Sequence, residues 1–215
     1  NATRYYWYIP NPGFEVKPEE DSAWGFEWPP LAEIKLTVNG DEYYSTSNEN
    51  GDVDFYDLER DIVTGDVVEM TAGTVTKTHI VHYLTVDEVN ADLDRFNGFT
   101  ETGKHLETWA CTNGECWGME VESTMDTGYW AADYTELTDI VPGTEGGVRF
   151  WEDDNTATMV YWRVPDPIFS VSLNQDYVYC QGWASNVTLT LNVDGIDITT
   201  IETDRNGYAQ INNVD

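Results

Sequence analysis

The chain has 215 residues, of which 40% are hydrophobic and 13% aromatic, which is enough apolar material for more than one core and excludes a disordered chain. Its 40 acidic residues outnumber 10 Lys and Arg residues and give a formal net charge of −30. Phosphate backbones and anionic lipid surfaces repel such a chain, which excludes nucleic acid and peripheral membranes as partners. No apolar run reaches the roughly 18 residues of a membrane span, so we expect no membrane insertion in this segment.

The acidic excess has two interpretations, which are not exclusive. A charge of this size keeps a protein soluble, as on the surfaces of halophile proteins, but it also strains the compact state by self-repulsion. Multivalent cations relieve that strain if they bind. Both interpretations stay open at the level of sequence.

An internal repeat organises the chain. Residues 156–195 match residues 1–40 without a gap at an offset of 155, and the match continues with one extra residue until Asn50-Gly51 falls on Asn206-Gly207. A weaker repeat relates residues 51–65 to residues 128–143. The sequence therefore predicts a unit of about 155 residues made of two diverged modules, A and B. Thirteen positions of the first forty recur: Ala2, Thr3, Tyr6, Trp7, Pro10, Pro12, Phe14, Val16, Asp21, Trp28, Leu36, Val38 and Gly40.

In chain order, residues 1–9 are predicted to be the last strand of a preceding B-type module, and residues 10–83 to be module A. Within module A, Glu33–Gly40 alternates apolar and polar residues and closes on an Asn-Gly turn. This pattern is typical of a half-buried antiparallel strand that enters a hairpin.

Module B is predicted at residues 84–165 and contains two of the three cysteines. Cys111 and Cys116 flank four turn-forming residues, so a hairpin disulfide is expected there, which suits an oxidising extracellular compartment. Half of a zinc site is the alternative, but no second ligand pair follows at a usual spacing. Cys180 has no evident partner and is expected to be a small buried apolar residue.

A proline-rich junction follows, and residues 166–215 are predicted to be an incomplete second module A. Pro165 and Pro167 fix φ and favour extended neighbours, which predicts a short, stiff connector. Trp28 and Trp183 occupy the same place in the two A copies. We interpret them as core residues, with platforms for sugar rings as the alternative.

Short runs rich in Val, Ile, Thr, Tyr and Trp recur throughout at intervals of about 8 to 12 residues, separated by turn residues. No segment keeps a 3.6-residue period, so helices should be minor at most. About seven short strands in each module predict an all-β fold of tandem immunoglobulin-like antiparallel β-sandwich modules.

These features resemble the tandem immunoglobulin-like modules of very large bacterial or archaeal surface proteins, including adhesins, stalk proteins and extracellular filaments. The likeness is carried by Leu36–Gly40, by the Asp-Ile-Val-x-Gly runs at 61–65 and 139–143, and by the Pro-x-Pro junctions at 10–12 and 165–167. The resemblance implies spacers that extend a binding tip, or links in a polymer, at the cell surface.

No catalytic residue is predicted, so we expect the chain not to be an enzyme. His79 and His82 lie three apart in a strand-like run, which would place them on opposite faces, and His105 stands alone. The sequence has no nucleophile elbow, phosphate-binding loop or dinucleotide fingerprint. Carboxylate pairs are so abundant that no single pair indicates a glycosidase.

Calcium is the one candidate cofactor, because hard cations prefer several oxygen ligands from flexible acidic loops. None of the acidic segments has EF-hand spacing, and solvated turns built by Asp and Asn are the alternative. The candidate ligands are Asp52 and Asp54, Asp92 and Asp94, and Asp153 and Asp154. Asn186, in Asn-Val-Thr, is a candidate glycosylation site that does not recur in the other copy.

The sequence thus predicts a structural or adhesive building block of an extracellular surface array or filament. Its expected partners are other copies or neighbouring repeats, together with cell-surface glycans. A carbohydrate-binding module array is the alternative, motivated by 13 Tyr and 9 Trp residues. The incomplete modules at the ends predict either a window on a longer chain or strand addition between molecules. We favour the window, because the two ends belong to different module types.

Overall fold

A computed structural model describes residues 10–152, 154–172 and 174–212. Within those ranges the chain forms nineteen β-strands and one 3-10 turn, Pro18–Glu20. The predicted all-β fold of antiparallel sandwiches is therefore confirmed. In the same ranges, no helix has the length and apolarity needed to cross a lipid bilayer.

The first seven strands form one sandwich of three and four strands. One sheet has the order β1-β2-β5 and the other β4-β3-β6-β7. Alternation in β3 buries Ile34, Leu36 and Val38 against the first sheet, as the sequence predicted. The strands are β1 Gly13–Lys17, β2 Ser22–Phe26, β3 Glu33–Val38, β4 Asp41–Thr46, β5 Val53–Phe55, β6 Val67–Ala72 and β7 Val75–Ile80.

The next seven strands repeat the same arrangement. Their sheets have the orders β12-β9-β8 and β11-β10-β13-β14, so each strand takes the place of its counterpart seven positions earlier. A separate core forms around Phe96, Trp130 and Tyr134. The strands are β8 Glu88–Asn90, β9 Arg95–Phe99, β10 His105–Thr112, β11 Glu115–Glu122, β12 Tyr129–Asp133, β13 Glu145–Glu152 and β14 Thr156–Arg163.

Five more strands begin the pattern again. The β15–β16 pair has the register Ile168↔Gln181, which is the β1–β2 register Gly13↔Phe26 moved by 155 residues. This strand set has a small core of its own, which contains Val178, Cys180 and Leu189. The strands are β15 Ile168–Ser172, β16 Tyr177–Gln181, β17 Thr188–Val193, β18 Ile196–Glu202 and β19 Ala209–Asn212.

The two complete sandwiches share a sheet. Strand β14 pairs in parallel with β1, so that one seven-stranded sheet runs in the order β11-β10-β13-β14-β1-β2-β5. The sequence did not predict this pairing. The segment 1–9, predicted to be a last B-type strand, lies outside the described residues, and the exact module boundaries stay predictions.

Candidate functional site: the joint between the two sandwiches

The joint is the contact of β1 and the β7 end of the first sandwich with β13 and β14 of the second. Its backbone register is Phe14↔Thr156, Glu15↔Ala157 and Val16↔Thr158. The Phe14 N–H donates to the Asn155 carbonyl over 3.2 Å, so the N–H groups on this side of β1 face the second sandwich. Phe14 and Val16 are fully buried. The joint is thus a continuation of the sheet and not a flexible tether.

A buried ion pair crosses the joint. Glu15 on β1 is 2% exposed, and its Oε1 accepts a hydrogen bond from Arg149 Nη1 of β13 at 2.8 Å. The Arg149 Nε donates to Glu107 Oε2 at 2.8 Å, and Trp151 Nε1 donates to the same oxygen at 3.0 Å. Burial raises the pKa of Glu15, and the neighbouring Arg149 guanidinium partly offsets that rise. Loss of Arg149 would leave a buried carboxylate without its counter-charge.

His79, near the end of β7, is 1% exposed and fully hydrogen-bonded to β14. Its Nδ1 lies 3.0 Å from Thr156 Oγ1, and Thr156 in turn donates to Asp154 Oδ1 at 2.7 Å. Its Nε2 lies 2.8 Å from Thr158 Oγ1, which accepts the His82 backbone N–H. These partners satisfy a neutral ring that carries its proton on Nδ1. Burial, followed by the nearby His82, lowers the pKa of His79 to about 4.

His82 lies between two carboxylates from the second sandwich. Its Nδ1 is 3.0 Å from Glu101 Oε1, and its Nε2 is 2.6 Å from Glu152 Oε1. The His79 and His82 ring centres are 5.6 Å apart, so the expectation that the two rings lie on opposite faces is wrong. Strand β7 ends at Ile80, and the chain leaves the alternating geometry before His82. Sequence reasoning missed this site, because strand periodicity places neighbours only inside a strand.

The predicted calcium ligands have separate local roles. Asp94 Oδ1 accepts the Ile140 backbone N–H at 2.7 Å, just as Asp21 Oδ1 accepts the Ile62 N–H at 2.8 Å in the first sandwich. Both aspartates have φ near 50° in equivalent turns. Asp94 therefore fixes the loop before the sixth strand of its sandwich, a role that short polar side chains fill often.

The remaining predicted calcium ligands are Asp52, Asp54, Asp92, Asp153 and Asp154. The Asp52 side chain accepts from Asn48 Nδ2 at 3.1 Å within a turn, and Asp154 Oδ1 accepts from Thr156. Asp54 and Asp92 are exposed, and Asp153 lies outside the described residues. Over residues 10–152, 154–172 and 174–212, no three His, Cys, Asp or Glu side chains converge as a metal site would require. Calcium binding at these residues stays a prediction.

A repeated hydroxyl clamp was also missed. In the first sandwich, Ser47 Oγ accepts the Ala32 N–H at 3.0 Å and donates to the Pro29 carbonyl at 2.6 Å. Ser123 makes the same two kinds of bond in the second sandwich and Thr203 in the third strand set. A hydroxyl at this place therefore ties the start of the third strand to the end of the fourth strand in all three sets.

The three cysteines lie in two places in the fold. Cys111 and Cys116 face each other across the β10–β11 hairpin and form a disulfide bond, while Cys180 is buried in the third core.

Trp28 is 1% exposed and donates from Nε1 to the Gly13 carbonyl at 2.9 Å, so it is a core residue and not an exposed platform. Trp183 makes the equivalent bond to the Ile168 carbonyl at 3.3 Å but is only half-buried. Asn186 lies exposed in a turn with φ of 55°.

A comparison with protein-family models gives no match, and neither does a comparison with curated proteins. Among solved structures, the chain is similar to a tetra-tandem repeat in the extending region of a large adhesion protein, with 11% identity, 94% of this chain and 65% of that chain covered, and a TM-score of 0.29. It is also similar to a Ca2+-stabilized adhesin with which an Antarctic bacterium binds ice, with 12% identity, coverage of 94% and 65%, and a TM-score of 0.25. A central fibronectin-III array of RIM-binding protein gives 12% identity, coverage of 94% and 95%, and a TM-score of 0.26.

These neighbours belong to the adhesin and immunoglobulin-like classes that the sequence resembles. The chain spans just under two thirds of the length of the two adhesin structures. The fold assignment rests on the strand order and register of the chain itself.

Proposed function

We propose that the chain is a structural or adhesive building block of an extracellular surface array or filament, assembled from units of about 155 residues. The observation that carries the proposal is the seven-stranded sheet, which continues from one sandwich into the next through β1 and β14. Modules joined by a flexible tether would not require a shared sheet. A building block of a stiff, extended array of modules would require a shared sheet.

The chemistry of the joint supports this role. Glu15, Arg149 and His79 have their polar groups paired across the joint, and Phe14 and Val16 lose all contact with water. Breaking the joint would expose these side chains and separate a buried ion pair, both of which cost free energy. The two sandwiches therefore act mechanically as one body. The formal charge of −30 makes neighbouring arrays repel one another and so keeps them apart.

The disulfide supports an extracellular location. Cytosolic reductants keep most thiols reduced, whereas disulfides persist in oxidising compartments. The β10–β11 hairpin carries one, between Cys111 and Cys116. The disulfide therefore supports an extracellular location for the proposed array.

Immunogold labelling of the native source cells tests the proposal. An antibody raised against the chain should decorate fibres or a layer on unpermeabilised cells, and protease shaving should release the label. Pre-immune serum and permeabilised cells are the controls. Label that appears only after permeabilisation would overturn the proposal.

A further inference from the structure

A cleft of about 920 Å³ lies between the seven-stranded sheet and the third strand set. One side is formed by Lys17, Tyr161 and Arg163, on the face of that sheet that points away from the two cores. The other side is formed by the loops around Trp183 and Asn206. Pockets that hold small ligands have volumes of about 300–1,000 Å³, so the cleft is large enough for a ligand of a few rings.

Contacts between described residues hold the third strand set beside the cleft. A Cβ at Gly182 would lie 2.2 Å from the Asp166 carbonyl oxygen, so the loop that begins there packs directly on the proline-rich connector. Arg205 forms an ion pair with Asp57 of the first sandwich, and Ser185 Oγ donates to the Arg205 carbonyl at 2.7 Å. The two loops are thus tied to each other, to the connector and to the first sandwich.

Two aromatic rings meet on the sheet side of the cleft. In the cross-strand register, Trp109 and Tyr161 flank Gly147. A Cβ at Gly147 would lie 2.4 Å from Trp109 Cζ2, so glycine allows the two rings to meet edge to face, with centres 5.7 Å apart. Tyr161 remains 42% exposed. Its open ring surface can contact the apolar face of a ligand.

Arg163 lies two residues beyond Tyr161 on the same face of β14 and differs from the other cations of this acidic chain. Its side chain makes no hydrogen bond or ion pair with any residue that the structure describes, although Glu145 is its cross-strand neighbour. Every other Lys or Arg in the described ranges has a carboxylate or carbonyl oxygen within 4.0 Å. The Arg163 guanidinium is therefore available to an external carboxylate, which it can bind through two parallel hydrogen bonds.

Lys17 adds a second positive charge beside the same ring. Its Nζ lies 4.9 Å from the centre of the Tyr161 ring, and its ion-pair partner Glu20 is 4.0 Å away, beyond hydrogen-bond distance. Strands β1 and β14 are neighbours in the sheet, so Lys17 and Arg163 approach the exposed part of Tyr161 from two directions. An anionic group held next to Tyr161 is attracted by both cations.

The remaining polar side chains of the cleft restrict the ligand further. Glu19, Glu20 and Glu145 line it, and carboxylates accept hydrogen bonds from hydroxyl groups but repel additional negative charge. A polyanion is repelled by the formal charge of −30 as well. The lining therefore fits a ligand with an apolar face, several hydroxyl donors and a single negative charge, which are the properties of a sugar ring that carries one carboxylate.

We propose that this cleft binds a saccharide with one carboxylate. Arg163 binds the carboxylate, the open face of Tyr161 contacts the C–H face of the sugar ring, and the glutamates accept hydrogen bonds from its hydroxyl groups. The inference rests on the proposed function, because it gives the adhesive building block a class of ligand.

Calorimetric titration of the full chain tests the site. The probes are methyl glycosides of hexuronic acids, each paired with the methyl glycoside of its parent hexose, together with N-acetylglutamate amide, which has one carboxylate and no sugar ring. We expect at least one uronide to bind at least about tenfold more tightly than both its parent hexose and the glutamate derivative, since a charge-assisted hydrogen bond contributes that much.

Arg163→Gln should lower the affinity for the uronide at least about tenfold and leave the affinity for the hexose unchanged. Tyr161→Ala should weaken both sugars. Arg95→Gln is the matched control, because it removes one positive charge from the surface of the same sandwich, and it should change neither affinity. Circular dichroism verifies that each variant is folded.

Three outcomes would overturn the proposed site: no uronide binds, the hexose or the glutamate derivative binds as tightly as the uronide, or Arg163→Gln has no effect. Surface labelling of cells without uronide binding would support the array and refute this site. Uronide binding that Arg163→Gln removes, without surface labelling, would support the site and refute the array.

Discussion

The first and the third strand sets contain the same strands in the same register, yet their apolar residues have very different exposure. Phe14 and Val16 are fully buried, whereas Phe169 and Val171 are more than half exposed. The first set contains β6 and β7 and has β14 beside it, and the third set has no counterparts of these strands among the residues described. Burial in this fold therefore comes from the facing sheet and the adjoining sandwich, and not from the strand alone.

Apolar contacts and short-range hydrogen bonds differ in how much they depend on the surrounding strands. Apolar contacts depend on how much of the sandwich surrounds them, so they should weaken from the first set to the third. Short-range hydrogen bonds such as the hydroxyl clamp are complete in both sets, so their contribution should be equal. Matched substitutions at equivalent positions test this separation.

The largest difference is expected for the two equivalent tryptophans. Trp28→Ala should destabilise the first sandwich by about 3–5 kcal/mol, because the side chain is fully enclosed. Trp183→Ala should cost less than about half of that, because Trp183 is only half-buried. Hydrogen exchange resolved to β2 and β16 measures both effects in one chain. Equal losses would show that the third set is as enclosed as the first.

His79 makes the stability of the joint between the two complete sandwiches depend on pH. Its pKa of about 4 in the folded chain lies below the ordinary value of 6.5, so the folded state binds fewer protons between these values. Stability from His79 is complete above about pH 6.5 and falls by about 3 kcal/mol as the pH drops to 4. The groups facing the ring are His82, Asp154 and Glu152.

Urea unfolding at pH 7 and at pH 4, compared between the wild type and His79→Gln, measures this contribution. The variant keeps a donor and an acceptor for the two threonines but does not titrate. Its loss of stability on acidification should be smaller than that of the wild type. Parallel pH profiles of the two proteins would contradict the assignment of a neutral, buried His79.

The ion pair between Glu15 and Arg149 at the joint should contribute less to the free energy of unfolding than His79 does. Arg149→Met leaves Glu15 buried without its partner, and we expect a loss of about 2 kcal/mol, below that of a fully buried pair because Arg149 is 31% exposed. Adding Glu15→Gln should restore most of that loss. Arg95→Met is the control and should leave the urea midpoint unchanged, since its pair with Asp133 lies at the surface.

The sequence predicted the features that depend on local pattern. Alternation in Glu33–Gly40 identified a half-buried strand, and the Cys111 and Cys116 spacing indicated the hairpin that the structure closes with a disulfide. The β1–β14 pairing escaped prediction, because it joins strands more than 140 residues apart and no local period specifies a parallel partner. The His79 and His82 cluster escaped because its geometry depends on where β7 ends.

The hydroxyl clamp should give equal effects in the two sets. Ser47→Ala and Thr203→Val each remove a buried hydroxyl that accepts one backbone N–H and donates to one carbonyl. Both residues are 2% exposed, so each substitution should cost about 1–2 kcal/mol, measured by local hydrogen exchange. A much smaller cost at Thr203 would mean that even short-range bonds weaken where the sandwich is incomplete.

The smallest effect is expected from the choice of divalent cation. Asp52, Asp94 and Asp154 use side-chain oxygens in hydrogen bonds within their own sandwich. Cations should therefore stabilise all three sets by screening the charge of −30, and Ca2+ and Mg2+ should raise the Tm equally at equal ionic strength. Calorimetry with each ion, with and without a chelator, measures this. A larger rise with Ca2+ that Asp52→Asn or Asp92→Asn removes would reveal a specific calcium site, and its position would show whether the complete sandwiches hold an ion that the third set lacks.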